Sequence, residues 1–263
     1  IGVFDGVHLG HRHVLTLLRK EAAEAGCLAG VLTFRNNPRT VLSPDAYVPA
    51  ITPVEERVRL IGEMGIDFVV PITFTLDVAG LSAQEFVSLL RTHLRMRGLV
   101  IGPDFALGHR RQGTPEVLRE LGDKMDFSVT VAEPFTLDSH RVSSSTIRSA
   151  LSQGDVQTAS SLLGRPFTLD GRVVSGEGRG ASLLGYPTAN IEADFGIVVP
   201  GDGIYATWAY IDDQRCKAAT SIGVRPTFGE GQRTVEAYVL DLSGDLYRKT
   251  VRLEFIQRLR DEI

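Results

Sequence analysis

Ile1-Gly2-Val3-Phe4-Asp5-Gly6-Val7-His8-Leu9-Gly10-His11 opens the chain, and its punctuation sets the class of fold to expect. A short apolar run ends in a glycine-marked turn, and a helical pattern follows at once. Backbone N–H groups at such a helix N-terminus face outward, and glycines let a phosphate approach without meeting a Cβ. His8 and His11, three apart around Gly10, can aim two imidazoles at one phosphoryl group and stabilise charge developing on it. A glycine turn with two surface histidines accounts for the same residues, and the motif alone does not separate the two readings.

Working outward, short apolar runs at 28–34, 67–72, 99–101 and 127–131 alternate with helical patterns as far as about residue 163. This βαβα order predicts a parallel sheet covered on both faces. The helix over 12–25 sets Val14, Leu17, Leu18, Ala22 and Ala25 on one face and stops at Gly26, which suits the left-handed position beyond a helix. Thr52-Pro53-Val54-Glu55 and Ser82-Ala83-Gln84-Glu85 both have the spacing of capping boxes. Beyond Gly164-Arg165-Pro166 the pattern changes. Runs at 168–175, 205–211, 216–222, 234–240 and 250–255, separated by Gly, Pro, Asp and Ser, predict a small antiparallel barrel. The expected domains are therefore 1–163 and 164–263, an α/β unit followed by an all-β one.

Composition narrows the function. With 263 residues, 43% hydrophobic and 23% charged, the chain can bury more than one core. A net charge of −4 disfavours a protein that coats nucleic acid, while leaving room for a local pocket for a small anion. Cys27 and Cys216 have no metal-binding or pairing pattern, which fits a reducing cytosol. No apolar run is long enough to span a bilayer, so no membrane role is expected.

Four further segments carry chemistry. Gly102-Pro103-Asp104-Phe105-Ala106-Leu107-Gly108-His109 follows a strand, where ligands of parallel sheets bind. Ser143-Ser144-Ser145-Thr146-Ile147-Arg148 opens a helix with hydroxyls and a guanidinium suited to phosphate oxygens, although a capped helix with a solvated arginine is the plainer account. Gly176-Glu177-Gly178-Arg179-Gly180 runs through Gly185-Tyr186-Pro187-Thr188-Ala189-Asn190. It lacks the G-K-[ST] ending of a Walker loop. Thr188 and Asn190, two apart in an extended segment, point to one side and can offer a hydroxyl and an amide oxygen to one Mg²⁺. A turn followed by an edge strand fits the same residues. In Thr234-Val235-Glu236-Ala237-Tyr238-Val239-Leu240, Glu236 shares a face with Tyr238. Facing into an apolar barrel mouth it becomes a desolvated base; facing out it is an ordinary solvated acid.

In order and spacing these segments resemble the bacterial bifunctional riboflavin kinase and FMN adenylyltransferase family. The first half resembles the H-x-G-H nucleotidyltransferases, which implies a Rossmann-like domain. The second resembles riboflavin kinase in its G-x-P-T-A-N, R-P-T-F-G, V-E and D-L-Y segments. The resemblance implies ATP with Mg²⁺, and riboflavin, FMN and FAD as substrates and products rather than prosthetic groups. It implies that His8, His11 and Arg148 act in adenylyl transfer, with Gly2, Phe4, Asp5, Gly6, Gly10, Asn37, Ser144 and Ser145 around the nucleotide and Asp104, Phe105 and Gly108 near the flavin. In the kinase half it implies Glu236 as base, Thr188 and Asn190 as Mg-ATP ligands, and Gly178, Gly180, Gly185, Pro187, Arg225 and Phe228 as binding residues. Asn37 stands where the family often has His, Leu107 where Phe is common, Ser145 where Thr is usual and Arg248 in place of a glycine. The Asn37 departure motivates a second reading, a riboflavin kinase with a weakened adenylyltransferase half; a non-catalytic flavin- or nucleotide-binding module is a third. An upstream first strand and a downstream helix are also expected beyond the chain.

Overall fold

A computed structural model describes the chain except residues 44, 139, 175–187, 195, 213, 225–232, 241, 243–245 and 263, and except the side chains of His140 and Thr188. Gly178, Gly180, Gly185, Pro187, Arg225 and Phe228 therefore lie outside the described residues. Contacts divide the chain into two compact units, Ile1–Val142 and Ser143–Ile263.

In the first unit the order is α1 (Leu9–Glu24), β1 (Gly30–Phe34), α2 (Pro38–Leu42), α3 (Val54–Gly62), β2 (Phe68–Ile72), α4 (Leu76–Gly80), α5 (Ala83–Leu94), β3 (Gly98–Ile101), α6 (Pro115–Met125), β4 (Ser128–Val131), β5 (Thr136–Leu137) and β6 (His140–Arg141). β1 pairs with β2 and β3 with β4, both in parallel, and a helix crosses between the members of each pair as parallel pairing requires. The opening residues extend this arrangement: Gly2 bridges Thr33 in parallel, and its N–H donates to the Leu32 carbonyl at 3.0 Å. β1 is apolar on both sides because both are covered. Ala29 and Val31 join Leu15 and Ala22 of α1 and Ile61 of α3, while Leu32 joins Phe86, Val87 and Leu90 of α5 and Leu118 of α6.

Local signals resolve as follows. The Ser82–Glu85 capping box is complete, with both reciprocal bonds made. The Thr52–Glu55 box does not form: α3 has Pro53 as N-cap without a side-chain cap bond, because the Thr52 N–H and carbonyl are taken by Asp5 and Arg57. In α1 the deepest residue is Leu15, with Ala22 one face-repeat on, whereas Ala25 is exposed; Gly26 does take the left-handed position, at φ 62°. Leu18 of the expected stripe packs against the same cluster, and Val14 and Leu17 are half-buried.

The second unit begins with α7 (Ser144–Ser152) and α8 (Val156–Leu163), then β7 (Phe167–Val174), β8 (Thr188–Ala193), β9 (Gly203–Ile211), β10 (Gln214–Val224), β11 (Arg233–Val239) and β12 (Thr250–Arg260). The strands close in the order β10-β11-β8-β7-β12-β9, antiparallel throughout, and α8 packs on β7 and β12. Closure removes every edge, so β8 lies between β11 and β7. Period-2 alternation turns Phe167, Leu169, Ala189, Ile191, Tyr205, Ala209, Val235, Ala237, Leu253 and Phe255 inward, all buried. Two inward hydroxyls satisfy each other, Thr207 and Thr220 lying 2.8 Å apart.

Phe255, buried between Phe167 and Tyr205 at ring separations of 5.8 and 5.3 Å, is the largest single lever on this core. Phe255→Ala is expected to cost about 3–5 kcal/mol. Urea unfolding followed by the fluorescence of Trp208, the chain's one tryptophan and a β9 residue, measures it.

Candidate active sites

The first site is built on a strained turn. Phe4, Gly6 and Val7 have φ of 51°, 84° and 42°, the left-handed region that Val and Phe seldom occupy. What holds them there is Asp5. Its buried carboxylate accepts from the Ile51 N–H at 2.9 Å and the Thr52 N–H at 3.1 Å, and Arg57 of α3 reaches it at 3.8 Å. From this turn the chain enters α1 with His8 as N-cap, its Nδ1 accepting from the His11 N–H at 3.2 Å. An imidazole nitrogen here does the work usually given to a Ser or Asp oxygen. That bond also fixes the tautomer, since a neutral His8 whose Nδ1 accepts must carry its proton on Nε2.

His8 and His11 stack at 3.6 Å with 16° between their planes, and Phe4 meets His11 edge-on at 5.2 Å. Gly10 leaves room for this stack: a Cβ there would sit 3.2 Å from the His8 ring and 3.4 Å from the Val142 carbonyl, a tight approach. His11 keeps part of its ring exposed while its Nδ1 is enclosed without a hydrogen-bond partner among the described residues. Burial, then the His8 and Arg57 charges, hold its pKa well below the usual imidazole value of 6.5. It is therefore a neutral ring at physiological pH.

Asn37, at the end of β1, caps α2 by accepting the Arg39 N–H at 3.0 Å, which leaves its amide NH₂ as a donor. In the 102–113 segment Asp104 pairs with Arg141, Phe105 packs on the core and Gly108 has φ 78° with the Ala83 nitrogen only 2.5 Å from a notional Cβ. That segment is pinned to the start of α5 by the His109 N–H bond to Leu81, at 2.6 Å. Ser144, Ser145 and Arg148 belong to the second compact unit, on the first two turns of α7, whose N-cap Ser143 accepts from Thr146.

The barrel decides the orientation of Glu236. Val235, Ala237 and Val239 are the buried, inward residues of β11, so Glu236 and Tyr238 face outward. The exposed alternative fails too, because Glu236 is only half-exposed and its Oε1 is enclosed. Register then aligns a row across the outer face: Val174, Asn190, Glu236, Ser221 and Ile204 are successive partners on β7, β8, β11, β10 and β9. Asn190 and Glu236 are direct partners, so their Cβ atoms are about 5 Å apart. Thr188 pairs with Tyr238 one step along the same two strands.

Comparison with known proteins matches both halves. A family model described as FAD synthetase covers residues 1–146, and one described as riboflavin kinase covers 163–263. Bifunctional riboflavin kinase/FMN adenylyltransferases align over 100% of this chain and 84% of their own: at 39% identity from Pseudomonas fluorescens, 34% from Escherichia coli K12 and 33% from Bacillus subtilis. The chain belongs to this bifunctional riboflavin kinase/FMN adenylyltransferase family. A crystal structure of a Streptococcus pneumoniae protein described as a macrolide-efflux protein has the same fold, with TM-score 0.92 and 30% identity over 100% of this chain and 86% of that one. In the present structure no helix among the described residues is long and apolar enough to cross a membrane.

Within this family frame the structure adds residues that the sequence reading passed over. Arg57 looks like part of a charged Glu55-Glu56-Arg57 run, yet it is 2% exposed. The available signal was its spacing, four before the buried Ile61, which sets it on the inner stripe of α3. Ser221 enters the Glu236 row only through β10–β11 register, which has no local signature.

A pH dependence follows from His11. Its folded-state pKa is depressed, so below 6.5 the unfolded chain binds a proton that the folded chain declines. This contribution to stability is complete above 6.5 and declines as pH falls from there towards the folded-state pKa, by at most about 1.4 kcal/mol per pH unit. Unfolding free energies at pH 7, 6 and 5 should show that decline in the wild type, and a shallower one in His11→Gln.

Proposed function

We propose that this chain makes FMN on its barrel and FAD on its α/β half, and that the residues assembled above divide the two reactions between them. The kinase assignment is carried by the register that sets Glu236 opposite Asn190. In that reaction the 5′-hydroxyl of riboflavin attacks the γ-phosphorus of ATP. Glu236 accepts the hydroxyl proton as the new P–O bond forms, and ADP leaves. Thr188 and Asn190 are the proposed oxygen donors for Mg²⁺ on the triphosphate. The donor types suit that ion, which keeps several waters and takes phosphate oxygens alongside one or two protein ligands. Among the described residues no group of three or more His, Cys, Asp or Glu offers a cage of protein ligands instead. Bound Mg²⁺ would neutralise phosphate charge. Gly178, Gly180, Gly185, Pro187, Arg225 and Phe228 are proposed to line the same site on sequence grounds.

For adenylyl transfer, the FMN phosphate attacks the α-phosphorus of ATP and pyrophosphate leaves. The turn from Gly2 through Phe4, Asp5 and Gly6 to Gly10 is proposed to receive the nucleotide phosphates. His8 and His11 donate to oxygens on which charge develops, and Asn37 adds an amide donor. Ser144, Ser145 and Arg148 are proposed as the second ATP motif, which would carry this function to about residue 163, with the kinase function from 164. Asp104, Phe105 and Gly108 are proposed for the flavin. The two unpaired thiols, Cys27 and Cys216, support a cytosolic setting.

Products formed from riboflavin, ATP and Mg²⁺ over time should pass from FMN to FAD with pyrophosphate. Glu236→Gln is expected to slow FMN formation by about 10²-fold or more while FAD is still made from supplied FMN. His8→Ala should do the reverse, lowering FAD formation by about 10²–10³-fold. Unchanged FMN turnover in the first variant would remove Glu236 from the reaction, and unchanged FAD turnover in the second would remove the histidine turn.

A further inference from the structure

Arg57 is a fully buried cation that the reaction as described does not use. It occupies the inner face of α3 and ties together three segments that meet where β1 ends. Its Nη1 donates to the Phe34 carbonyl, the last residue of β1, at 2.7 Å, and its Nη2 to the Thr52 carbonyl at 3.3 Å. The same nitrogen lies 3.8 Å from Asp5 Oδ1. Asp5 in turn receives the Ile51 and Thr52 N–H groups. A planar fork of fixed geometry is what such a junction needs, since its donors point in set directions that a lysine cannot reproduce.

The consequence reaches the imidazoles. Asp5 sits between left-handed Phe4 and Gly6, and this turn delivers His8 to the start of α1. His11 lies on His8, and Phe4 on His11. We propose that Arg57 is a positioning residue for adenylyl transfer, acting through Asp5 to hold the turn that orients the stacked His8 and His11. It rests on the assignment of adenylyl transfer to those histidines. Misplacing reacting groups by about an ångström lowers rate far more than it lowers binding, so the effect belongs in kcat. A second signature follows from proximity: the Arg57 charge is one of the causes, after burial and His8, that keep His11 neutral, and removing it shifts the His11 titration to higher pH. The charged groups that act on His11 are His8 and Arg57, and Asp5 lies 3.8 Å from the guanidinium.

The test uses the full chain and compares wild type, Arg57→Met, Arg57→Lys, Asp5→Asn and the Arg57→Met/Asp5→Asn pair. Wild type must first make FAD from FMN; if it does not, the adenylyl-transfer reading itself fails. Given that activity, Arg57→Met should lower kcat for FAD formation roughly 10²-fold with KM for ATP changed less than about 3-fold. NMR titration of His11 should move upward in pH. FMN formation from riboflavin by the same variant should be unchanged. Arg57→Lys keeps the charge without the fork, so it should retain the wild-type His11 titration while still losing about 10-fold in kcat; it serves also if the methionine variant does not fold. Because both residues act through one turn, the pair should be no slower than the slower single variant. Wild-type kcat in either Arg57 variant, a loss confined to KM, an unmoved His11 titration in Arg57→Met or multiplying effects in the pair would each overturn the proposal.

Discussion

A buried carboxylate organises the first half of this protein. Moving an ion of that size out of water costs several kcal/mol even after the surroundings relax. Asp5, 3% exposed, offsets that cost with two backbone N–H donors and the Arg57 guanidinium. Losing one partner of such a pair typically costs about 3–5 kcal/mol, because the other charge is stranded. That is of the same order as the strain held in the turn, where left-handed Phe4 and Val7 cost roughly 1–3 kcal/mol each. The turn stays strained because its surroundings leave it no alternative, and α1 therefore begins on a histidine rather than on an ordinary cap.

The barrel obeys a different constraint. Six closed strands turn large rings at Phe167, Tyr205 and Phe255 and small residues at Ala189 and Ala237 into a shared buried interior. Inside, the Thr207 and Thr220 hydroxyls pair with each other and the Tyr205 hydroxyl donates to the Gly201 carbonyl. Alternation then forces the chemically able residues to the outer face, and closure fixes which of them are neighbours. Asn190 meets Glu236 because β8 inserts between β7 and β11, a contact that spans 46 positions of chain.

Local signals in the sequence were strong where the backbone itself needed a particular residue. The Ser82–Glu85 cap, the Gly26 stop, the parallel βαβ order and five of the six barrel strands are of this kind. Failure came where a distant group outbid a local one. Thr52 has the right spacing for a capping box, but Asp5 and Arg57 claim its backbone from 47 and five positions away. Arg57 has the composition of a solvated face and the periodicity of a core. The face of Glu236 could not be assigned at all, since alternation gives two sets and only closure says which is inside. Residue types at both sites were therefore legible, whereas their partners were not.

The two sites differ in chemistry for a reason that lies in their nucleophiles. A primary alcohol holds its proton tightly, as bulk water does, so attack on phosphorus needs a base within reach. Half-buried Glu236, opposite Asn190, is the base proposed for it. A phosphate monoester has its second pKa near 6 and arrives at neutral pH already ionised. It needs no base. What the second reaction needs is donors for the charge that accumulates on the α-phosphate, the role proposed for the stacked His8 and His11. Burial that would disable His11 as an acid or base is thus compatible with the role proposed for it, and the same burial that costs the fold stability at low pH keeps the ring neutral.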